Sequence, residues 1–238
     1  MSAKVETVLV EVSPGETRVA SVDQAGRLVS FEVERLGEES RIGEILRGRV
    51  SRIDKATQTA FVDIGGEAPG IINRARNFHE GQAVTVQVTR DAWGDKGPAL
   101  STNLAFTGRF LVLRPGDKGI RWPRGSAARV RREREAAVAG LAREDEGLTL
   151  RSNLAFADDA SLTTEIERLR ALASDVQERG QGMAKPGPLQ LAPGLVDRVL
   201  RDSVPDGGIV VDDRRLVADI AKTVDELAPD LADRIALH

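Results

Sequence analysis

The chain has 238 residues, enough for one large domain or two to three small ones with a substantial buried core. Hydrophobic residues make up 41% and charged residues 30%, an ordinary globular composition that excludes a disordered chain. The 34 basic and 37 acidic residues leave a net charge of −3, so no whole-chain basic signature for nucleic acid exists, and any anion-binding surface has to be local.

Residues 5–39 alternate as strands do. Val5, Val8 and Val10, then Val19 and Val22, then Val29, Phe31 and Val33 mark three short strands, with turns at Pro14-Gly15 and Gln24-Ala25-Gly26. An antiparallel meander is the simplest outcome. Residues 42–104 form a second β-rich block: ILRGRVSRI, QTAFVDIG, GIIN, AVTVQVTRD and GPALSTNLA, spaced by glycine-containing turns. Five short strands over this length predict a small closed barrel, and the OB type is the commonest of that size. Gly43, Gly48, Gly65, Gly66 and Gly70 suit its tight corners.

Beyond residue 105 the period changes. FTGRFLVL reads as a strand, SAARVRREREAAVAGL as a helix, and EGLTLRSNLAF as strand and loop. In SLTTEIERLRALASDVQERG, Leu162, Ile166, Leu169, Leu172, Ala173 and Val176 recur at helical spacing, with Gly180 as the stop. Residues 180–194, rich in Pro and Gly, read as a connector. LVDRVLRDS is a short helix, GGIVVDD a buried-type strand, and RRLVADIAKTVDEL a helix opening after Asp212-Asp213. LSTNLAF at 100–106 and LRSNLAF at 150–156 differ at two of seven positions. They are either coincident or two equivalent strand exits presenting hydroxyls and amides to one pocket.

The chain has no cysteine and two histidines, His79 and His238. That excludes disulfide scaffolds and thiolate zinc sites, and nearly excludes a multi-histidine metal site or a Ser-His-Asp triad. No apolar run approaches the ~20 residues a bilayer needs and MSAKVETVLV lacks a signal-peptide pattern, so a cytoplasmic protein without membrane partners is expected. Arginines number 28 against six lysines, a bias that codon usage in a GC-rich genome explains more readily than phosphate recognition, so that what matters is where the arginines sit.

Three groups of residues could carry chemistry. In TAFVDIG, alternation places Ala60, Val62 and Ile64 on one side and Thr59, Phe61 and Asp63 on the other, so Phe61 either stacks on bases or caps a barrel end. Arg47, Arg49, Arg52, Lys55, Arg74 and Arg76 give the barrel a basic track, extended by Lys96 beside Trp93. Residues 121–134, with Arg121 and Arg124 at their start, hold six arginines against the single acid Glu133, a pattern that favours phosphate-backbone contact. The acidic pairs Asp158-Asp159 and Asp212-Asp213 are explained as helix N-caps or first-turn acids. Asp63, Asp212 and Asp213 are also the acids with which a compact magnesium-dependent endoribonuclease would have to work.

ILRGRVSRIDKATQTAFVDIGGEAPGII resembles the opening of the S1-type RNA-binding barrel of the ribonuclease E/G family. EGQAVTVQVTRDAWGDKGPALSTNLAFTGRFLVLRP continues the resemblance, and GLTLRS and GGIVVDDRRLVADI look like family segments in the right order. The stretch 42–113 is its most specific part. The resemblance implies a mixed α/β (α+β) fold in which an S1-type OB-fold barrel is inserted into an RNase H-like subdomain, with an adjoining 5′-sensor region. The expected boundaries are 1–39 for the first RNase H-like strands, 40–105 for the barrel, 106–183 for the 5′ sensor and 184–238 for the rest of the RNase H-like part. It further implies a protein of RNA processing or decay that binds single-stranded RNA and its 5′-monophosphate end. Phe61 matches an RNA-contacting aromatic and Lys96 a basic contact in the same channel. Gly108 and Val112 match backbone groups of the 5′ sensor, and Arg151 and Ser152 its Arg-Thr phosphate clamp, with Ser for Thr.

This sequence departs from the family in four places, one of them a much shorter segment between the GIIN strand and EGQAV than in the large members. Ile71 stands where a second barrel aromatic is expected. The family's zinc-linking cysteines are absent, so any homo-oligomer is not zinc-linked. RIALH falls where the family hands over to its nuclease subdomain, which carries the magnesium-binding aspartates. Neither catalytic residues nor cofactors are therefore expected within this sequence.

Overall fold

The computed structural model describes residues 5–125, 127–203 and 205–238. The first three strands form as the alternation predicts: β1 (Thr7–Ser13), β2 (Glu16–Val22) and β3 (Leu28–Arg35) pair as an antiparallel meander. Val8, Val10 and Val19 are buried on one side, while Phe31 is 53% exposed on the other. The Phe31-Val33 pair therefore marks a strand but not a core face.

The next five strands close into a barrel. They are β4 (Ile45–Asp54), β5 (Thr59–Asp63), β6 (Gly70–Asn73), β7 (Ala83–Arg90) and β8 (Ala99–Ser101). The pairing runs β4-β5-β6-β8-β7 and back to β4, with β6 and β8 parallel, an arrangement consistent with an OB-like barrel. Leu46, Val50, Ala60, Val62, Ile64, Val86, Val88 and Leu100 fill its interior. Two of the glycines expected at corners lie inside strands instead. A Cβ on Gly48 would meet Val62 Cγ1 at 2.5 Å, and one on Gly70 would meet Leu100 Cδ1 at 2.3 Å, so both make room for facing core side chains.

The predicted strand FTGRFLVL is broken. β9 (Phe106–Thr107) turns at Gly108, whose N–H donates to the Leu111 carbonyl at 2.8 Å, and returns as β10 (Leu111–Pro115). β11 (Gly119–Arg121), α1 (Ala128–Leu141) and β12 (Glu146–Leu150) follow, and a four-stranded sheet assembles in the order β11-β12-β10-β9. Ser126, the first residue of the predicted helix, lies outside the described residues.

After a short 3-10 helix at Ser152–Phe156, α2 runs from Asp159 to Gly182. Asp158 caps it by accepting from the Ser161 N–H at 2.7 Å, and Leu162, Ile166, Leu169 and Val176 are buried as the spacing predicts. Gly180 does not stop the helix. It is buried, and a Cβ there would sit 3.0 Å from Thr85 Oγ1 and 3.3 Å from Leu189 Cδ1, so it permits close packing on the barrel. The supposed connector contains β13 (Gly187–Gln190), an edge strand on β4 with a register shift after Pro188. Proline is tolerated at such an edge, which is why composition alone hides this strand.

The chain ends with α3 (Leu195–Asp202), β14 (Gly208–Val211), α4 (Arg214–Leu227), a 3-10 segment at Pro229–Arg234 and β15 (Ile235–Leu237). β14 and β15 are parallel to β1 and complete a five-stranded sheet in the order β15-β14-β1-β2-β3. That sheet is thus built from 7–35 and 208–237, and everything between leaves from β3 and returns at β14. Val8, Val10, Val19, Leu200, Val211 and Val224 pack beneath it. A third cluster, including Phe106, Leu111, Leu148, Leu154 and Ile166, takes in Ile45 and Leu189 from the barrel side. Among the described residues no helix is long and apolar enough to cross a membrane.

Candidate functional site

The strand β5 directs Ala60, Val62 and Ile64 into the barrel and leaves Phe61 on its outer side, partly exposed. A bulge in β4 between Val50 and Arg52 sets Arg52 opposite Phe61 in register. The Arg52 guanidinium lies 4.2 Å from the centroid of the Phe61 ring. Ile71, on β6, is the cross-strand neighbour of Phe61.

The segment after β7 closes one side of this surface. Trp93 and Lys96 exchange backbone hydrogen bonds of 3.0 and 3.1 Å, which makes Gly94-Asp95 a tight turn, and Trp93 is left 86% exposed. Gly97 seats the turn: a Cβ there would fall 1.9 Å from the Pro69 carbonyl oxygen. Phe61, Ile71, Trp93 and Lys96 together line an open groove of about 790 Å³, with Thr59 and Arg90 beside them. Of the three acids lining the groove, Asp54, Asp91 and Asp95, the first two are already committed. Asp91 accepts from Ser40 Oγ and the Arg41 N–H, and Asp54 accepts from the Ala56 and Thr57 N–H groups. The hydrogen bonds from Thr57, side chain first, hold the Asp54 carboxyl below its usual range. Two flat rings, an apolar neighbour and exposed cations form a surface on which successive bases can stack while phosphates meet charge.

The remaining basic candidates do not join this groove. Arg49 donates to the carbonyls of Gly81 at 3.0 Å and Ala184 at 3.4 Å. In the stretch 121–134 counter-charges come from inside the stretch, from just before it and from α2. Arg121 pairs with Asp117 through two bonds of 2.7 and 3.1 Å, Arg129 with Glu133, and Arg134 with Asp159. The bond from Arg121 is the main cause that lowers the Asp117 carboxyl to about 2. Arg131 stacks on Trp122 at 5.4 Å. Only Arg124 and Arg132 of the six have no such partner among the described residues.

The four residues matched to a phosphate clamp come together at one end of a sheet. β10 and β12 pair antiparallel, so Val112 lies opposite Thr149, and the Arg151 N–H donates to the Phe110 carbonyl at 2.8 Å. Arg151 then reaches back, donating to the Gly108 carbonyl at 2.7 Å and pairing with Asp202 of α3. Ser152 is exposed next to it.

The turn itself is held from beneath by Glu165 of α2. Its buried carboxylate accepts from the N–H groups of Arg109, Phe110 and Leu111 at 2.6, 2.9 and 3.0 Å. A Cβ on Gly108 would lie 2.4 Å from Glu165 Cδ, so this approach requires glycine. Nothing in the sequence signals Glu165 or Asp202, because both are ordinary helix residues until the fold brings them 56 and 51 positions back along the chain. Trp93 was legible as one of two tryptophans in a chain poor in aromatics.

The repeated SNLAF-type exits do not share a pocket. Leu104 and Leu154 both pack into the same hydrophobic cluster, whereas Asn153 donates to the Arg201 carbonyl and Ala105 is bound by Gln87. The echo is one of core packing. The acids that a compact nuclease would use are engaged with backbone: Asp213 caps α4, Asp212 accepts from the Val12 N–H, and Asp63 accepts from the Gly65 N–H. Among the described residues no three His, Asp or Glu side chains converge to hold a metal ion.

The chain is 28% identical over 261 residues to ribonuclease G of Haemophilus influenzae, covering 97% of this chain and 52% of that protein. It is 29% identical over 254 residues to ribonuclease G of Escherichia coli K12, covering 96% and 52%. With ribonuclease E of Haemophilus influenzae it shares 27% identity over 252 residues, 94% of this chain and 26% of that protein. The chain thus spans about half the length of the ribonuclease G relatives, and the matches cover 96–97% of it. A family model described as the Ribonuclease E/G family matches residues 105–238, from β9 to the last residue, and the chain belongs to that family.

Proposed function

We propose that this chain binds single-stranded RNA along the barrel groove and reads a 5′-monophosphate end at the Arg151-Ser152 clamp, within the RNA processing or decay carried out by ribonuclease E/G proteins. The observation that carries the reading is the convergence of Phe61, Trp93 and Lys96 on one open groove. The barrel order supports an S1-type OB module. The order β15-β14-β1-β2-β3, antiparallel on one side of β1 and parallel on the other, supports an RNase H-like sheet into which the barrel and the sensor region are inserted.

In this reading bases stack on Phe61 and Trp93, Lys96 and Arg52 meet phosphates, and the terminal phosphate takes the guanidinium of Arg151, the Ser152 hydroxyl and the backbone at Val112. Asp202 currently holds Arg151, so a bound phosphate competes with a carboxylate there. Cleavage, which the names of the relatives state for them, is assigned to no residue of this chain.

The test is fluorescence anisotropy of a short single-stranded RNA with a 5′-monophosphate or a 5′-hydroxyl end. The monophosphate should bind about tenfold more tightly, as expected of one charge-assisted contact. Arg151→Ala should erase that difference and leave the 5′-hydroxyl affinity unchanged. Equal binding of the two ends by the unaltered chain overturns the clamp, and no binding at low salt overturns RNA as the ligand.

A further inference from the structure

A second cavity, of about 210 Å³, lies between α2, α3 and the base of the barrel. Arg168, Arg198 and Arg201 line it together with Gln190, Leu172 and Pro193. Arg198 is satisfied, paired with Glu34 at 3.0 Å and donating to the Pro193 carbonyl at 2.9 Å. Arg168 and Arg201 are not. Arg168 Nη2 and Arg201 Nε are buried without a hydrogen-bond partner among the described residues, and Gln190 Oε1 is orphaned in the same way.

Two of the acids within range are spent elsewhere, Glu165 on three backbone amides and Asp202 on Arg151, while Glu226 near Arg168 and Asp197 near Arg201 attract these arginines from beyond ion-pair distance. Burial holds both guanidinium groups below their ordinary values, and Arg168 and Arg151 add like-charge repulsion at Arg201. Two partly desolvated cations side by side, with donors unfilled and, among the described residues, no carboxylate bonded to either, mark a place where an anion belongs. The opposite wall is apolar, and one amide oxygen asks for a donor.

We propose that this cavity binds a nucleotide, its phosphate between Arg168 and Arg201, a donor group on Gln190 Oε1, and its apolar face on Leu172 and Pro193. The nucleotide is either a free nucleoside monophosphate or a residue of a bound RNA strand. The inference stands on these orphaned groups and does not require the 5′-end reading of Arg151.

Thermal unfolding decides it, with adenosine 5′-monophosphate, inorganic phosphate or sodium chloride added at constant ionic strength to the unaltered chain, to Arg151→Gln and to an Arg168→Gln/Arg201→Gln double variant. Adenosine monophosphate at about a hundredfold over its Kd should raise Tm by about 5 °C or more in the first two proteins and not in the third. Without ligand, the double variant should melt no lower than the parent, since it loses unpaired buried charge. If the monophosphate does no more than chloride for the unaltered chain, the proposal fails whatever the variants do. An equal rise in the double variant also overturns it.

A 5′-hydroxyl RNA separates the sources. A loss of about tenfold in affinity in the double variant places a strand residue in the cavity, and unchanged affinity with the Tm response intact places a free nucleotide there. Equal binding of 5′-phosphate and 5′-hydroxyl RNA by the unaltered chain would overturn the clamp reading and leave this result untouched.

Discussion

Phe61 and Glu165 call for opposite tests, one of binding and one of stability. Phe61 faces outward with Arg52 over its ring, so replacing it removes no core contact. Phe61→Ala should weaken single-stranded RNA binding about 5- to 150-fold, the loss of one stacked base, with Tm unchanged in the same preparation. A variant that binds as before would move the stacking platform to Trp93 alone. Glu165 is the opposite case, a buried carboxylate feeding three amides. Glu165→Ala leaves those donors without acceptors and should cost about 3 kcal/mol in urea unfolding, with a loss below about 1 kcal/mol arguing against that role.

Asp117 adds a pH signature. Its carboxyl, lowered to about 2, contributes stability that is fully present above the unfolded value of about 3.9 and is lost as pH falls through about 2. Carbon-detected NMR titration of Asp117 should therefore show a midpoint near 2, and a midpoint near 4 would mean that Arg121 is not its partner in solution. The period-2 alternation made the outward position of Phe61 legible from sequence. It could not reveal Glu165 or Asp202, because a long-range carboxylate on a helix leaves no local mark.

At the scale of elements, hydrophobic periodicity located the strands and helices that bury a face, and missed those that do not. β13 and β15 each contribute few buried side chains and owe their place to pairing with a neighbour already formed. Gly180 was misread for a related reason. Glycine signals a helix stop when φ turns positive, but here it serves a close contact with Thr85 and Leu189, a use that only the packed structure displays. The turn carrying Trp93 depends on Gly97 in the same way. Gly97→Ala drives a methyl group into the Pro69 carbonyl, so the turn must lift off the barrel edge. RNA affinity should fall about as far as in Trp93→Ala, while circular dichroism of the barrel strands stays as it was. If Gly97→Ala binds RNA normally while Trp93→Ala does not, the seat of the turn is not what positions the tryptophan.

For the whole molecule the question is how a chain of net charge −3 would hold the polyanion proposed for it. The fold answers by neutralising some of its arginines and exposing others. Asp117, Glu133 and Asp159 take up Arg121, Arg129 and Arg134, so half the arginines of the stretch that looks most basic in sequence are neutralised, whereas Arg90 and Lys96 line the groove and Arg52 covers the Phe61 ring. The salt dependence of binding measures which set is used. Three to five phosphate contacts, drawn from the groove and the clamp, should give a slope of log K against log salt of about −2 to −3.5, at about −0.7 per contact on a single strand. Lys96→Ala should reduce that slope by about one contact, and an Arg124→Ala/Arg132→Ala pair should leave it unchanged. A slope steeper than about −5 that collapses in the Arg124/Arg132 pair would put the RNA across α1 instead of the barrel, because among the described residues those two arginines of the cluster have no protein counter-charge or aromatic partner to release first.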